Sequence, residues 1–341
     1  MRRRLALLLA FACIAAAASA PGGPAAGAQE TITIRLATLA PRRSAWMRAY
    51  TLWDRELRAR TGGRVRLRIY AGGSAGGERT VVRKLRANQL DAAAITTTGL
   101  GQIVRPALVL SAPGVIRDYP ELDAVRRELA PELEAEFDRA GFKLLGWGDA
   151  GRVRLFSTRP IRRPADLRRC RPWVWRDNPV FVEFIRAAGV RGVPLAIAEV
   201  RPGMQTGRID TFAASALGAV ALQWFTGARY VSRQSSGIVV GAMIMRKDVF
   251  DRLPPDVRQT FEDESARNSA TLSRAIRRAD DRAYRALLSR GLTPVDVEPH
   301  RAEWEEVGRR ARERLTGRLW SRGLLTRAQA VVARVRSRRR P

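Results

Sequence analysis

Thr31-Ile-Thr-Ile-Arg-Leu-Ala37 and Arg64-Val-Arg-Leu-Arg-Ile-Tyr70 give the clearest indication of the fold. Both alternate apolar and polar residues, which is the pattern of a half-buried β-strand. Residues 44–60 between them place large apolar side chains at helical spacing, and residues 78–87 form a second helix-like segment before an apolar strand at 90–96. This order of strand, helix, strand, helix and strand predicts a parallel sheet in an α/β fold.

A second unit of the same kind occupies residues 151–235. Its strand-like segments are 153–157, 171–175, 193–197 and 209–216, and its helix-like segments are 179–188 and 199–207. Two α/β units of similar size predict two lobes with a cleft between them. We assign residues 29–150 to lobe I, together with a return segment at about 236–253, and residues 151–235 to lobe II.

The longest helical pattern runs from about residue 254 to residue 291. About 36 residues at 1.5 Å per residue give a helix of about 54 Å, which is long enough to lie across both lobes. A further helical segment is expected at 292–330, followed by a basic, solvated tail at 331–341.

Composition excludes much of enzyme chemistry. The chain has 341 residues with one histidine, His300, and two cysteines. A lone histidine argues against Ser-His-Asp or Cys-His catalysis and against sites built from several histidines. The glycine-rich segment 72–77 is followed by Glu78 where a phosphate loop needs lysine, so it predicts a turn. We therefore expect no enzyme activity, no metal and no cofactor.

The N-terminus predicts export. Residues 1–28 combine three arginines, an apolar run from Leu5 to Ala18 and an Ala-x-Ala site ending at Ala28, as a secretory signal peptide does. The run is short for a membrane anchor. We therefore expect cleavage near Ala28 and a periplasmic location.

The charge is strongly positive but spread out. The 62 Lys+Arg and 33 Asp+Glu give a net charge of +29, and losing the three signal arginines leaves 29 − 3 = +26. The arginines are distributed along the chain, so we expect no specific nucleic-acid partner. Weak contact of the basic surface with an anionic membrane remains open.

Trp173 and Trp175 flank Val174 and therefore lie on one face of a short strand. Such a pair can be part of a core. Polar neighbours, including Asn178, favour the edge of a pocket, because an aromatic pair beside a few polar groups is typical of a small-molecule site.

Taken together, the chain resembles the solute receptors of tripartite ATP-independent periplasmic (TRAP) transporters, in the dicarboxylate-receptor-like branch. The similarity covers roughly residues 31–325 and is carried by the segments Thr61–Gly73, Glu78–Ala93, Pro160–Leu167 and Val193–Asp210. It implies two α/β lobes that close on a ligand in the cleft, and a monomeric receptor that delivers the ligand to integral membrane subunits.

The chain also departs from typical members of this family. Trp173 stands where an arginine pairs with the ligand carboxylate, Ala214 replaces an asparagine and Arg201 replaces a tyrosine. Losing such an arginine costs on the order of 2–5 kcal/mol for a simple acid. Our hypothesis is a more apolar or aromatic ligand. The alternatives are an organic acid held by Arg152 or Arg154, and a cation stacked on the tryptophans.

The resemblance and the strand ends together suggest a set of ligand-binding residues. They are Trp46, Thr97, Thr98, Trp147, Arg152, Trp173, Trp175, Asn178, Phe212, Ala214 and Ser215. A different use of the same scaffold is a ligand sensor that signals to a membrane kinase.

Overall fold

Residues 31–100 form the α/β unit that their alternation predicts. The computed structural model describes residues 31–339, and the predicted signal peptide lies outside these residues. The elements are β1 (Ile32–Thr38), α1 (Ala45–Arg60), β2 (Val65–Tyr70), α2 (Glu78–Arg86), β3 (Ala92–Thr96) and α3 (Thr97–Leu100). β1 pairs in parallel with both β2 and β3, which confirms the predicted parallel sheet.

A helix that the sequence analysis did not predict completes this part. α4 (Tyr119–Arg139) starts at Asp118, whose side chain accepts a hydrogen bond from the backbone N–H of Glu121. An acidic N-cap with glutamate three residues later is a helix-start pattern. Its buried face repeats every three or four residues, and this periodicity would have identified the helix: Leu122, Val125, Leu129, Leu133 and Phe137.

The segments predicted for lobe II are present, but its first strand is the end of the longer strand β4 (Phe142–Ser157), and α7 (Ala216–Ala221) and β8 (Tyr230–Ser232) were not predicted. The other elements are β5 (Trp173–Trp175), α5 (Pro179–Ala187), β6 (Val193–Leu195), α6 (Val200–Gln205) and β7 (Thr211–Ser215). Phe156 and Phe212 are fully buried at the centre of this lobe, where their rings stack 4.9 Å apart.

Two long strands join the lobes. β4 pairs along its first part with β9 (Gly237–Arg246) and along its last part with β7 and β8. The order of the main sheet is β10-β8-β4-β9-β3-β1-β2, where β10 is the short strand Thr293–Val295. β7 also pairs with β4, and β5 and β6 form a separate pair. The register of β4 shifts between Asp149 and Gly151, where the strand passes from one lobe to the other.

The chain then returns and crosses both lobes. The elements are α8 (Lys247–Asp251), α9 (Pro255–Ser289), β10 (Thr293–Val295), α10 (Arg301–Leu315) and α11 (Arg322–Ser337). α9 packs on α1 through Phe261, whose ring lies 5.5 Å from that of Trp53, and on the core of lobe II through Leu287. The predicted helix across both lobes is therefore present.

The C-terminal region differs from the expectation. β10 joins the sheet of lobe II beside β8, so residues 292–330 are not wholly helical. Residues 331–337 are the last turns of α11 and not a solvated tail, because Val331 and Val332 are buried and Arg336 pairs with Glu121. No helix within residues 31–339 has both the length and the apolar character needed to cross a membrane.

Candidate functional site

A cavity of about 960 Å³ lies between the two lobes. Ligand pockets commonly have volumes of about 300–1,000 Å³, so this one can hold a ligand at the upper end of that range. Its walls are mainly apolar and come from the ends of β1 and β3, the middle of β4, α5, β7 and α10. Arg79 of lobe I and Asp177 of lobe II lie 3.6 Å apart across the cleft.

The predicted ligand-binding residues, apart from Phe212, line this cavity. Phe212 lies deeper in β7 than Ala214 and Ser215. Its side chain is fully buried, stacked on Phe156 and packed edge-on against Trp224 at 5.6 Å. The expected contact of Phe212 with the ligand is therefore corrected: its ring fills the core of lobe II.

The two tryptophans of β5 differ in burial. Trp173 is 5% exposed, its Nε1 donates to the carbonyl of Leu195 at 3.0 Å, and its ring meets Trp224 edge-on at 5.1 Å. Trp175 is half-buried against the same core. Trp173 therefore supports the cavity floor, and Trp175 presents more of its ring to the cavity.

The small polar residues of the site also shape its walls. Asn178 caps α5 by accepting from the backbone N–H of Phe181 at 3.0 Å, and Ser215 caps α7 in the same way. The hydroxyls of Thr97 and Ser111 lie 2.7 Å apart. These groups hold the chain where strands end and helices begin, which brings those ends to the cavity.

Glu78 follows the glycine-rich turn between β2 and α2. Its buried carboxylate accepts from Thr96 N at 2.7 Å, Thr96 Oγ1 at 2.8 Å and Gly99 N at 2.7 Å. Burial raises the pKa of Glu78 to about 7. This carboxylate ties α2 to the end of β3, so the segment serves as a turn and not as a phosphate loop.

Arg154 is a buried cation in the cavity wall. It is 8% exposed, and its guanidinium stacks on Tyr284 with Cζ 3.8 Å from the ring centroid. Nη1 donates to the carbonyls of Ser232 and Arg233, whereas the buried Nε has no partner. No carboxylate among residues 31–339 lies within 4 Å of it, and burial lowers its pKa. An arginine remains charged even so.

Arg152, two residues earlier, has partners. Its Nε lies 3.7 Å from Asp281, and its guanidinium stacks on Tyr119 at 4.4 Å. Arg277 of α9 lies at the same distance from Tyr119 and pairs with the buried Asp149. Arg152 therefore has a carboxylate within 4 Å, whereas Arg154 has none at that distance among residues 31–339 and interacts with Asp280 and Asp281 only at longer range.

Several cavity residues were missed in the sequence analysis. They are Arg117 and Glu121 near the start of α4, Trp304 and Glu305 of α10, and Arg336 of α11. The Asp118-x-x-Glu121 cap could have located the first two. The others reach the cavity through packing of the C-terminal helices on α5 and α4, which no local pattern reveals.

Comparison with known proteins gives consistent matches. Residues 36–315 match the model of the bacterial extracellular solute-binding protein family 7. A solute-binding protein of Verminephrobacter eiseniae is 28% identical over 277 residues, which cover 80% of this chain and 81% of that protein.

The fold is also similar to solved structures. A TRAP periplasmic solute-binding protein from Roseobacter denitrificans with bound β-D-glucuronate gives a TM-score of 0.81 at 20% identity, covering 88% of this chain and 99% of that one. A Bordetella pertussis extracytoplasmic solute receptor binding pyroglutamic acid gives 0.82 at 18% identity, covering 88% and 100%.

Proposed function

The chain belongs to the bacterial extracellular solute-binding protein family 7 and is a TRAP-type solute receptor, not an enzyme. We propose that its ligand is an organic acid with a large apolar body. The observation that carries this proposal is Arg154, a buried cation in the cavity wall with no carboxylate partner among residues 31–339.

A buried charge is costly unless it is paired. A ligand carboxylate at Arg154 would supply a direct ionic partner and a charge-assisted hydrogen bond. The same charge disfavours a cationic ligand in this part of the cavity. Glucuronate and pyroglutamic acid, bound by the two structural relatives, are both acids, which agrees with an acidic group on the ligand.

The rest of the cavity favours an apolar body on that acid. Trp46, Trp147, Trp175 and Phe181 contribute aromatic surface to its walls, and about 960 Å³ exceeds what a small dicarboxylate fills. Aromatic surface of this kind packs well against rings and aliphatic chains. The apolar-ligand hypothesis and the organic-acid alternative thus describe two ends of one ligand.

The receptor would act together with a transporter. We propose that it works as a monomer in the periplasm after removal of residues 1–28, and that it passes its ligand to the integral membrane subunits of a TRAP transporter. Contacts of the ligand with both lobes would favour the closed arrangement in which these subunits receive it.

Calorimetry with matched ligands tests the acid. Aromatic and branched aliphatic carboxylates are titrated beside their neutral primary amides, using the wild type, Arg154→Gln and Arg152→Gln. We expect binding of acids but not of amides. Arg154→Gln should weaken binding by about 2–5 kcal/mol, because it removes a desolvated charge pair.

The control is Arg168→Gln, an exposed arginine outside the cavity that should leave affinity unchanged. Amides that bind as well as acids would contradict the proposal. So would an Arg154→Gln variant that keeps full affinity, and a larger loss in Arg152→Gln would move the anchor to Arg152.

A further inference from the structure

The outer face of α9 carries a row of arginines. Arg274, Arg278, Arg282 and Arg285 are all exposed. At 3.6 residues per turn they fall within about 80° of the helix circumference and extend over about 16 Å of its length. We call these four residues the arginine stripe.

The protein itself does not neutralise the stripe. Within residues 31–339, none of the four guanidinium groups has a carboxylate within 4 Å, and Arg274 donates to the hydroxyl of Thr271 at 3.2 Å. Neighbouring arginines of α9 differ, because Arg267 pairs with Glu264 at 2.9 Å and Arg277 pairs with Asp123 and Asp149.

Acidic groups near the stripe are already engaged. Asp280 is buried and accepts from the backbone N–H groups of Arg152 and Leu217. Asp281 points to Arg152 at 3.7 Å. The stripe is therefore a continuous positive surface on the long helix, and it is free to attract negative charge from outside the protein.

The chemistry of the surface identifies the kind of partner. Protein partners generally bury an apolar centre within the contact, with aromatic or aliphatic residues. The stripe offers no such apolar centre. Among residues 31–339, the large hydrophobic residue that is exposed is Leu52, and it lies on α1. A membrane of anionic phospholipid needs only positive charge facing its headgroups.

We propose that the arginine stripe binds the anionic headgroups of a phospholipid membrane and holds the receptor against that surface. Contact is electrostatic, without insertion, since the stripe carries no apolar side chain to enter the acyl region. It does not depend on which ligand occupies the cavity. Holding the receptor at a membrane would raise its local concentration there.

Vesicle sedimentation separates the stripe from the general positive charge of the protein. The purified receptor is mixed with phosphatidylcholine vesicles, either alone or containing about one third phosphatidylglycerol, at about 50 and 300 mM NaCl. The test variant carries Arg274→Gln, Arg278→Gln, Arg282→Gln and Arg285→Gln. The matched control loses the same charge at four scattered exposed arginines without carboxylate partners: Arg42, Arg83, Arg191 and Arg318.

We expect the wild type and the control to bind anionic vesicles at low salt and to be released at high salt. The stripe variant should partition at least about tenfold less. An equal loss in both variants would overturn the proposal, because net charge alone would then explain binding. No binding of the wild type to anionic lipid would overturn it as well. Melting temperatures close to that of the wild type show that both variants fold.

Discussion

Trp173 and Trp175 stand two residues apart on one face of β5, yet their burial gives them different roles. Trp173 is 5% exposed, bonded to the carbonyl of Leu195 and packed on Trp224. Trp175 is half-buried at the cavity. Trp173, at the position where the resemblance predicts an arginine, is therefore part of the core of lobe II, and Trp175 is the better candidate for contact with the ligand.

Substitution of each tryptophan by alanine should separate these roles. Trp173→Ala should lower the free energy of unfolding by about 3–5 kcal/mol, since it opens a cavity in a packed core. Trp175→Ala should cost less stability but weaken binding of an acid with an aromatic or branched body. Urea unfolding and calorimetry measure the two effects. Unchanged affinity in Trp175→Ala would place the ligand away from β5.

α11 is the element whose sequence is most misleading when taken alone. The arginines of residues 331–341 predict a solvated tail, but this region packs on α4. Four arginines, three in α11 and one just after it, face acids of α4 and of the turn before it. The pairs are Arg327 with Glu132, Arg334 with Glu128, Arg336 with Glu121 and Arg339 with Asp118. Together with buried Val331 and Val332, these pairs attach the end of the chain to lobe I and bring Arg336 to the cavity.

These pairs should differ in strength because their acids differ in burial. The Glu121 side chain is 3% exposed and lies 2.7 Å from Arg336, whereas that of Glu128 is 48% exposed and lies 3.5 Å from Arg334. Arg336→Gln should lower the free energy of unfolding by about 1–2 kcal/mol, because it leaves a buried carboxylate without its cation.

Arg334→Gln, two residues away in the same helix, is the matched control and should cost less than about 0.5 kcal/mol. Chemical denaturation of both variants makes the comparison. Equal losses of stability would mean that burial of the acid does not determine the strength of these pairs.

The two lobes meet at Gly151 of β4. It lies at the register shift of β4 with φ +107°, a conformation that favours glycine. A Cβ at this position would be 2.5 Å from Cβ of Ser215 in lobe II and 2.6 Å from Cγ of Asp280 in α9. The strand, the helix and the second lobe can therefore meet here because no side chain intervenes.

Alanine at this position should disturb the contact between the lobes. Gly151→Ala should destabilise the protein by more than about 2 kcal/mol, through both the strained backbone and the overlap. Gly148→Ala on the same strand is the control, because its Cβ would meet nothing within 4 Å. Thermal unfolding and ligand affinity are the measurements. A Gly151→Ala variant as stable as Gly148→Ala would contradict this account of the crossing.

The amino-acid sequence alone is enough to predict the parallel sheet of lobe I, most strands and helices of lobe II, the long helix and the family, but not α4 or β10. These features rest on periods of two and 3.6 residues and on short motifs, which are properties of neighbouring residues. Local reasoning also predicted two residues of the cavity wall: Trp46, because it follows the first strand, and Trp175, because polar residues lie beside it on its strand.

Which arginines have a carboxylate partner, and which aromatic rings belong to the core, depends on the packing of distant segments. Arg152 and Arg154 look equivalent in sequence, but Asp281, which balances the first, lies in a helix more than 120 residues away. Phe212 and Ala214 lie on the same strand, β7, but Phe212 is buried in the core of lobe II, whereas Ala214 lines the cavity. Arg336 finds Glu121 across 215 positions. Such pairings depend on packing between distant segments, and packing leaves no local periodicity in the sequence.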